Sequence, residues 1–175
     1  WEKECTENPS DMGPRRMVAW HRFRSEDPQG ALEPALRSLD ERGYDARIDE
    51  TLEYLAIAEC VAASSHPLGS KQLSSLSKVA KTYWELGRAS DCVRVLSKVL
   101  SDSDESHSLN PDDLLTAHWT LGRALTIGGD SERAMFAFER AEELAVKSGN
   151  PVWLSRVYCS KAAVYQMRGQ FQKID

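Results

Sequence analysis

Residues 121–141 read LGRALTIGGDSERAMFAFERA, and the fold is decided there. Leu121-Gly122 and Leu125 lead into Gly128-Gly129, and Ala134, Phe138 and Ala141 follow at helical spacing. Two amphipathic helices hinged at a glycine turn is the reading, with Asp130 as a cap for the second. Working outward, Gly129 belongs to a series. Gly43, Gly87, Gly129 and Gly169 are separated by 44, 42 and 40 residues. Leu76, Val79-Ala80 and Tyr83 precede Gly87, with Cys92, Leu96 and Val99 after it. Tyr158, Ala162 and Tyr165 precede Gly169, with Ile174 after it. A fixed period of this size predicts stacked helix–turn–helix units. Gly122, Ala80 and Ala162 fall where two helices cross most closely, and Leu125, Tyr83 and Tyr165, three residues on, fill the next gap. One unit alone exposes an apolar face, and stacking covers it.

The organisation follows from this register. Residues 1–27 do not repeat and form an irregular segment with a possible short helix from Arg16 to Phe23. There Arg15, Arg16, Arg22 and Arg24 interleave with Trp20, His21 and Phe23, a composition that serves single-stranded nucleic acid in other settings. Nearby acidic residues offset the charge, and the segment reads as packing on the solenoid end. Residues 28–175 form the helical-repeat domain, with units at about 28–65, 71–101, 111–148 and 151–175. In the opening unit Gly43 is expected as a left-handed cap. Ile48, Leu52, Leu55, Ala56 and Cys60 line one stripe of the helix that follows. The polar run from Ser101 to Ser108 reads as a mobile loop. Asn110 and Pro111 open the next helix, and Gly149-Asn150-Pro151 end one unit and start another. The chain begins at Trp1, which reads as an excised piece, and stops at Asp175 inside a helix. Further repeats or a partner are expected at that end.

Composition sets bounds on function. Hydrophobic residues at 41% and charged residues at 28% describe an ordered soluble chain. A net charge of −5 gives no electrostatic case for nucleic acid. No apolar run approaches the ~20 residues of a membrane span. Cys5, Cys60, Cys92 and Cys159 are scattered without ligand spacing and read as buried thiols in a reducing, intracellular compartment, cytoplasmic or nuclear. No cofactor or metal is expected. His21, His66, His107 and His118 form no metal motif, and His118 takes a position suited to a core or interfacial side chain. Gly69-Ser70-Lys71 lacks the upstream glycine of a phosphate loop. Glu139, Glu142 and Glu143 with Arg140 and Lys147 read as an exposed, salt-bridged face. Nothing assembles nucleophile, base and orienter, so the chain is not read as an enzyme.

The order of these residues resembles the tetratricopeptide repeat (TPR), whose pattern runs aromatic-x-x-Leu-Gly-x-x-Tyr, then Ala-x-x-x-Phe. The resemblance covers 71–175 well and 28–65 weakly, with periods longer than the family's 34 residues. Lys161 departs from it, standing where the family has Leu, and no proline closes the second helices. The resemblance implies an all-α solenoid of stacked antiparallel helix pairs, about 3.5 repeats truncated at the C-terminus. It further implies a concave groove lined by the first helix of each unit. Carried onto this sequence, the groove positions are Ser74, Ser77, Lys78, Lys81, Trp84 and Glu85; then Thr116, Trp119, Thr120, Arg123, Thr126 and Ile127; then Arg156, Cys159, Ser160, Gln166 and Met167. Lys78, Lys81, Trp84, Trp119, Arg123 and Arg156 make a basic, aromatic lining, to which an acidic and aromatic partner segment is matched. Chaperone-binding relatives use Lys, Asn and Arg where this chain has Ser77, Lys81 and Ser160, which disfavours chaperone tails. The implied function is a protein-interaction scaffold or adaptor. The alternative is a regulatory or sensor arm of a larger machine, such as a signal-responsive transcription regulator or a large protease.

Overall fold

The computed structural model describes residues 30, 55–56, 59–60, 70–106 and 110–169. Among them every regular element is an α-helix, as the repeat predicts. The helices are α1, Ser70–Glu85; α2, Ala89–Ser106; α3, Pro111–Ile127; α4, Ser131–Ser148; and α5, Pro151–Met167. The chain divides into two compact units, Trp1–Thr82 and Tyr83–Asp175, and α1 runs across their boundary. Residues 1–27, Gly43, Ile48, Leu52 and Ile174 lie outside the described residues.

In the first unit the anticipated stripe of α1 is buried: Leu76, Val79 and Ala80, with Ser75 beside them. Earlier in that unit Leu55 is fully buried, whereas Ala56 and Cys60 are exposed. The expected apolar stripe was therefore too wide. At 3.6 residues per turn Cys60 sits roughly 140° from Leu55, too far round the helix to share its contacts.

In the second unit each helix is started by its own sequence. Asn110 Oδ1 accepts the Asp112 amide at 2.8 Å, and Asn150 Oδ1 accepts the Val152 amide at 3.0 Å. Each asparagine is followed by proline at the first helical position, where a missing N–H costs nothing. Asp130 caps α4 through the Arg133 amide at 3.1 Å. Gly87, Gly129 and Gly169 all take positive φ, between 66° and 78°, so the periodic glycines mark the left-handed residue that reverses the chain. The segment 101–108 is a correction. Helix α2 continues to Ser106 where a loop was expected. Residues 101–106 are polar but contain neither glycine nor proline, so nothing in the backbone stops the helix.

The helices of this unit pack in series: α2 on α3, α3 on α4, and α4 on α5, with a smaller α3–α5 contact. Leu96, Val99, Leu115, Ala124, Phe138 and Ala141 are all 1% exposed or less and form the centre of the core. Burying such side chains, at ~25 cal/mol per Å² of apolar area, is the main stabilising term. A close crossing is found at Gly122, where the sequence puts one. A Cβ on Gly122 would lie 2.6 Å from the Phe138 ring, so α3 and α4 approach over a missing side chain. His118, at 8% exposure, joins the buried set as expected.

The cysteines divide. Cys92 is buried, and burial pushes its thiol up to about 12. Cys60 and Cys159 are exposed, against the expectation of buried thiols. Cys159 follows Tyr158 on the side of α5 that no described helix covers, which periodicity alone does not reveal.

Candidate functional site

Five side chains of the second unit join into one connected set. Trp84 comes from the last turn of α1, Trp119 and Arg123 from α3, Trp153 and Arg156 from α5. The Arg123 guanidinium carbon lies 4.5 Å from the Trp84 ring centre and 4.7 Å from that of Trp119. Trp119 meets Trp153 edge to face, with centroids 5.5 Å apart and planes at 76°. Arg156 in turn sits 5.0 Å over Trp153. The Trp119 indole N–H donates to Ser160 Oγ at 3.1 Å, and that hydroxyl donates back to the Arg156 carbonyl at 2.9 Å. Cations over indole faces gain from the ring quadrupole, and edge-to-face rings are a favoured aromatic geometry.

Helical spacing explains the pairing. Trp119 and Arg123 are four apart and Trp153 and Arg156 three apart, so each pair shares one face of its helix. The set thus brings together Trp84, Trp119, Arg123 and Arg156 of the expected lining. Lys78 and Lys81 are exposed on the part of α1 belonging to the first unit, and each has interactions of its own there. Thr120, counted among the groove positions, is buried at 5% exposure and turns into the core instead. Thr116 and Thr126 spend their hydroxyls on their own helix, on the Asp112 and Gly122 carbonyls at 2.8 Å each. Trp153 is not among the groove positions that the register gives. The signal is a tryptophan three residues before an arginine on one helix face, but it lies off the 40-residue register, which matches Trp119 with Cys159.

The charges around this set are distributed unevenly. Arg88 and Arg94 pair with Asp91, Arg133 with Asp130, and Arg140 with Glu143. Arg123 and Arg156 have no carboxylate among the described residues; their neighbours are indoles.

Lys161 shows how the departure from the repeat is accommodated. Its Nζ donates to Glu142 Oε2 at 2.7 Å, joining α5 to α4. Glu142, expected on an exposed face, is half-buried, and of that face Arg140 and Glu143 keep the surface pairing. Desolvation works against the charged Lys161. The Glu142 hydrogen bond and charge outweigh it, with smaller help from Tyr165 and Glu139, so the ammonium titrates above its ordinary value.

Among the described residues no group of three His, Cys, Asp or Glu side chains could hold a metal ion, and no helix is long and apolar enough to cross a membrane.

No protein-family model matches the chain, and no curated protein does. Solved structures do. A putative kinesin light chain of nearly identical TPR-like repeats from Podosopora anserina matches with a TM-score of 0.58 at 18% identity, over 95% of this chain and 90% of that one. A substituted form of the same protein gives 0.59 at 18% identity, over 95% and 91%. BtubC (BKLC) from P. vanneervenii matches with a TM-score of 0.54 at 16% identity, over 99% of this chain and 86% of that one. At these identities the likeness concerns architecture, and it agrees with the glycine register, the caps and the serial packing: the chain has the all-α fold of TPR-like helical-repeat solenoids.

Proposed function

We propose that this chain is a non-catalytic protein-interaction module, a scaffold or adaptor that holds an acidic, aromatic-bearing segment of a partner protein. The binding residues are Trp84, Trp119, Arg123 and Arg156, with Trp153 added; Lys78 and Lys81 remain candidates on the neighbouring stretch of α1. One observation carries the reading. Arg88, Arg94, Arg133 and Arg140 of the second unit satisfy themselves with nearby carboxylates, whereas Arg123 and Arg156 sit on indoles with their charge uncompensated. An arginine so placed is ready for a carboxylate supplied from outside, and tryptophan and arginine are the residues that dominate interface energetics. Cys92 and Cys159, which form no disulfide, fit an intracellular setting.

The test is a pull-down with the chain, mapping of the bound segment, and calorimetric titration of that segment as a peptide. Arg156 is exposed and makes no ion pair, so Arg156→Ala leaves the fold intact while removing one cation. Weaker binding by Arg156→Ala and by Arg123→Ala, together with a loss of affinity in salt, is the expected result. Unchanged affinity in both variants would place the partner elsewhere on the chain.

A further inference from the structure

Arg123 and Arg156 differ in one respect that bears on what each can recognise. Arg123 has two indoles within 4.7 Å of its guanidinium carbon and is half-buried. Arg156 has one indole, at 5.0 Å, and is exposed. A guanidinium has two kinds of surface: flat faces that stack on rings, and an edge of N–H groups that hydrogen-bond in the plane. We propose that Trp84 and Trp119 take up the faces of Arg123 and so act as positioning residues, leaving its N–H edge as a fixed fork for a carboxylate of the partner segment. The inference rests on the reading of the site given above and specifies its chemistry.

Three observations support it. The fork is vacant, because Arg123 has no ion pair or hydrogen bond to a carboxylate among the described residues. The clamp is itself held in place: Trp119 is fixed by its hydrogen bond to Ser160 and by Trp153. The rings come from two helices, Trp84 from α1 and Trp119 from α3, so the guanidinium has an indole neighbour on each element. Holding a long side chain beforehand removes entropy that binding would otherwise cost. A carboxylate, planar with two oxygens, matches an in-plane fork bidentately, and a lysine ammonium cannot reproduce that geometry. Arg156 keeps one face open and no second ring, so it supplies charge with less directional demand.

The test uses the full chain and two probes, an N-acetylated, C-amidated hexaglutamate peptide and its hexaglutamine counterpart, followed by tryptophan fluorescence and calorimetry. The expected result is binding of hexaglutamate only, weakened about tenfold by Arg123→Lys and less than threefold by Arg156→Lys. Trp84→Leu should weaken hexaglutamate binding as Arg123→Lys does, and Trp84→Phe, which keeps a ring, should restore most of it. A helical circular-dichroism spectrum and unchanged melting of Arg123→Lys guard against misfolding as the cause. Equal binding by wild type and Arg123→Lys, with loss in the Arg123→Ala, Arg156→Ala double variant, would overturn the fork and leave the interaction module standing. Failure of hexaglutamate to bind the wild type at all would overturn the fork, while the interaction module stands or falls by the pull-down and titration of the mapped segment.

Discussion

Helix α4 is joined to its two neighbours in different ways. Towards α3 the contact is dry and close, with Phe138 resting where Gly122 has no side chain. Towards α5 it includes a half-buried ion pair, Glu142 to Lys161, and α5 offers only Val157 and Val164 as fully buried side chains. The two joints differ in kind: α3 and α4 belong to one unit, whereas α4 and α5 meet across a unit boundary, where Lys161 stands 40 residues after Leu121. The comparison teaches that a repeat specifies where helices meet, while individual positions decide how firmly. Apolar packing at the first joint is sensitive to volume; charge at the second is sensitive to pH and to its partner.

The largest expected effect breaks the dry joint. Gly122→Leu should destabilise by ~3 kcal/mol or more, because a branched side chain meets the Phe138 ring and forces the backbones apart. Urea unfolding reads this, and partial rescue of Gly122→Ala by Phe138→Leu would pin the effect to that one contact. A loss below ~0.5 kcal/mol would mean that the crossing is not tight. Next comes an alkaline loss traced to the buried thiol on α2. Cys92 is raised from 9.0 to about 12, so the unfolded chain releases this proton first. Its contribution is fully present below about pH 9 and falls away as pH climbs towards 12, by a few kcal/mol in all. The Cys92→Ala variant should show a shallower decline of stability over that range; an identical slope would remove the thiol as its source.

A smaller effect distinguishes the ionic joint. A double-mutant cycle with Lys161→Met and Glu142→Gln should give a coupling of about 1 kcal/mol or less, given the exposure that remains to both groups. Lys161 is raised above 10.5 in the folded chain, so its share is complete below that pH and lost as pH rises through the higher folded value. A cycle measured at pH 8 that already shows no coupling would make the pair a passenger. The smallest effect sets the floor: Arg140→Gln, which removes the exposed pair with Glu143, should stay within about 0.5 kcal/mol.

What the sequence disclosed and withheld has a common physical cause. Glycines at turns, asparagine–proline helix starts and the Ala134, Phe138, Ala141 run act within a few residues, so they were legible, and with them the fold. Polarity alone predicts a loop after Leu100, yet no breaker interrupts α2 before Ser106. Side-chain partners more than 15 residues apart were not legible. Lys161 stands out as a departure from the repeat and Glu142 as a polar helix position, yet nothing local ties them together. Trp153 was overlooked in the same way, because its place is set by Trp119 on another helix. Of the lining proposed from the register, Trp84, Trp119, Arg123 and Arg156 are found together, and Thr120 is not among them.

Serial packing in the second unit also governs how the chain reaches its fold. Each helix there rests mainly on the next one along, so contacts join segments close in sequence and the loops closed to form them are short. Such a topology folds quickly for its size, and it can nucleate at whichever neighbouring pair is most stable and then spread. The α3–α4 pair, with its glycine–phenylalanine seat, is the natural seed. Helix α5, which buries two valines and is otherwise held by the Glu142–Lys161 pair and by Trp119 against Trp153 and Ser160, would condense later and open sooner. Because α5 carries Trp153 and Arg156, the kinetics of its docking also set how long two of the five side chains of the candidate binding set stay in place.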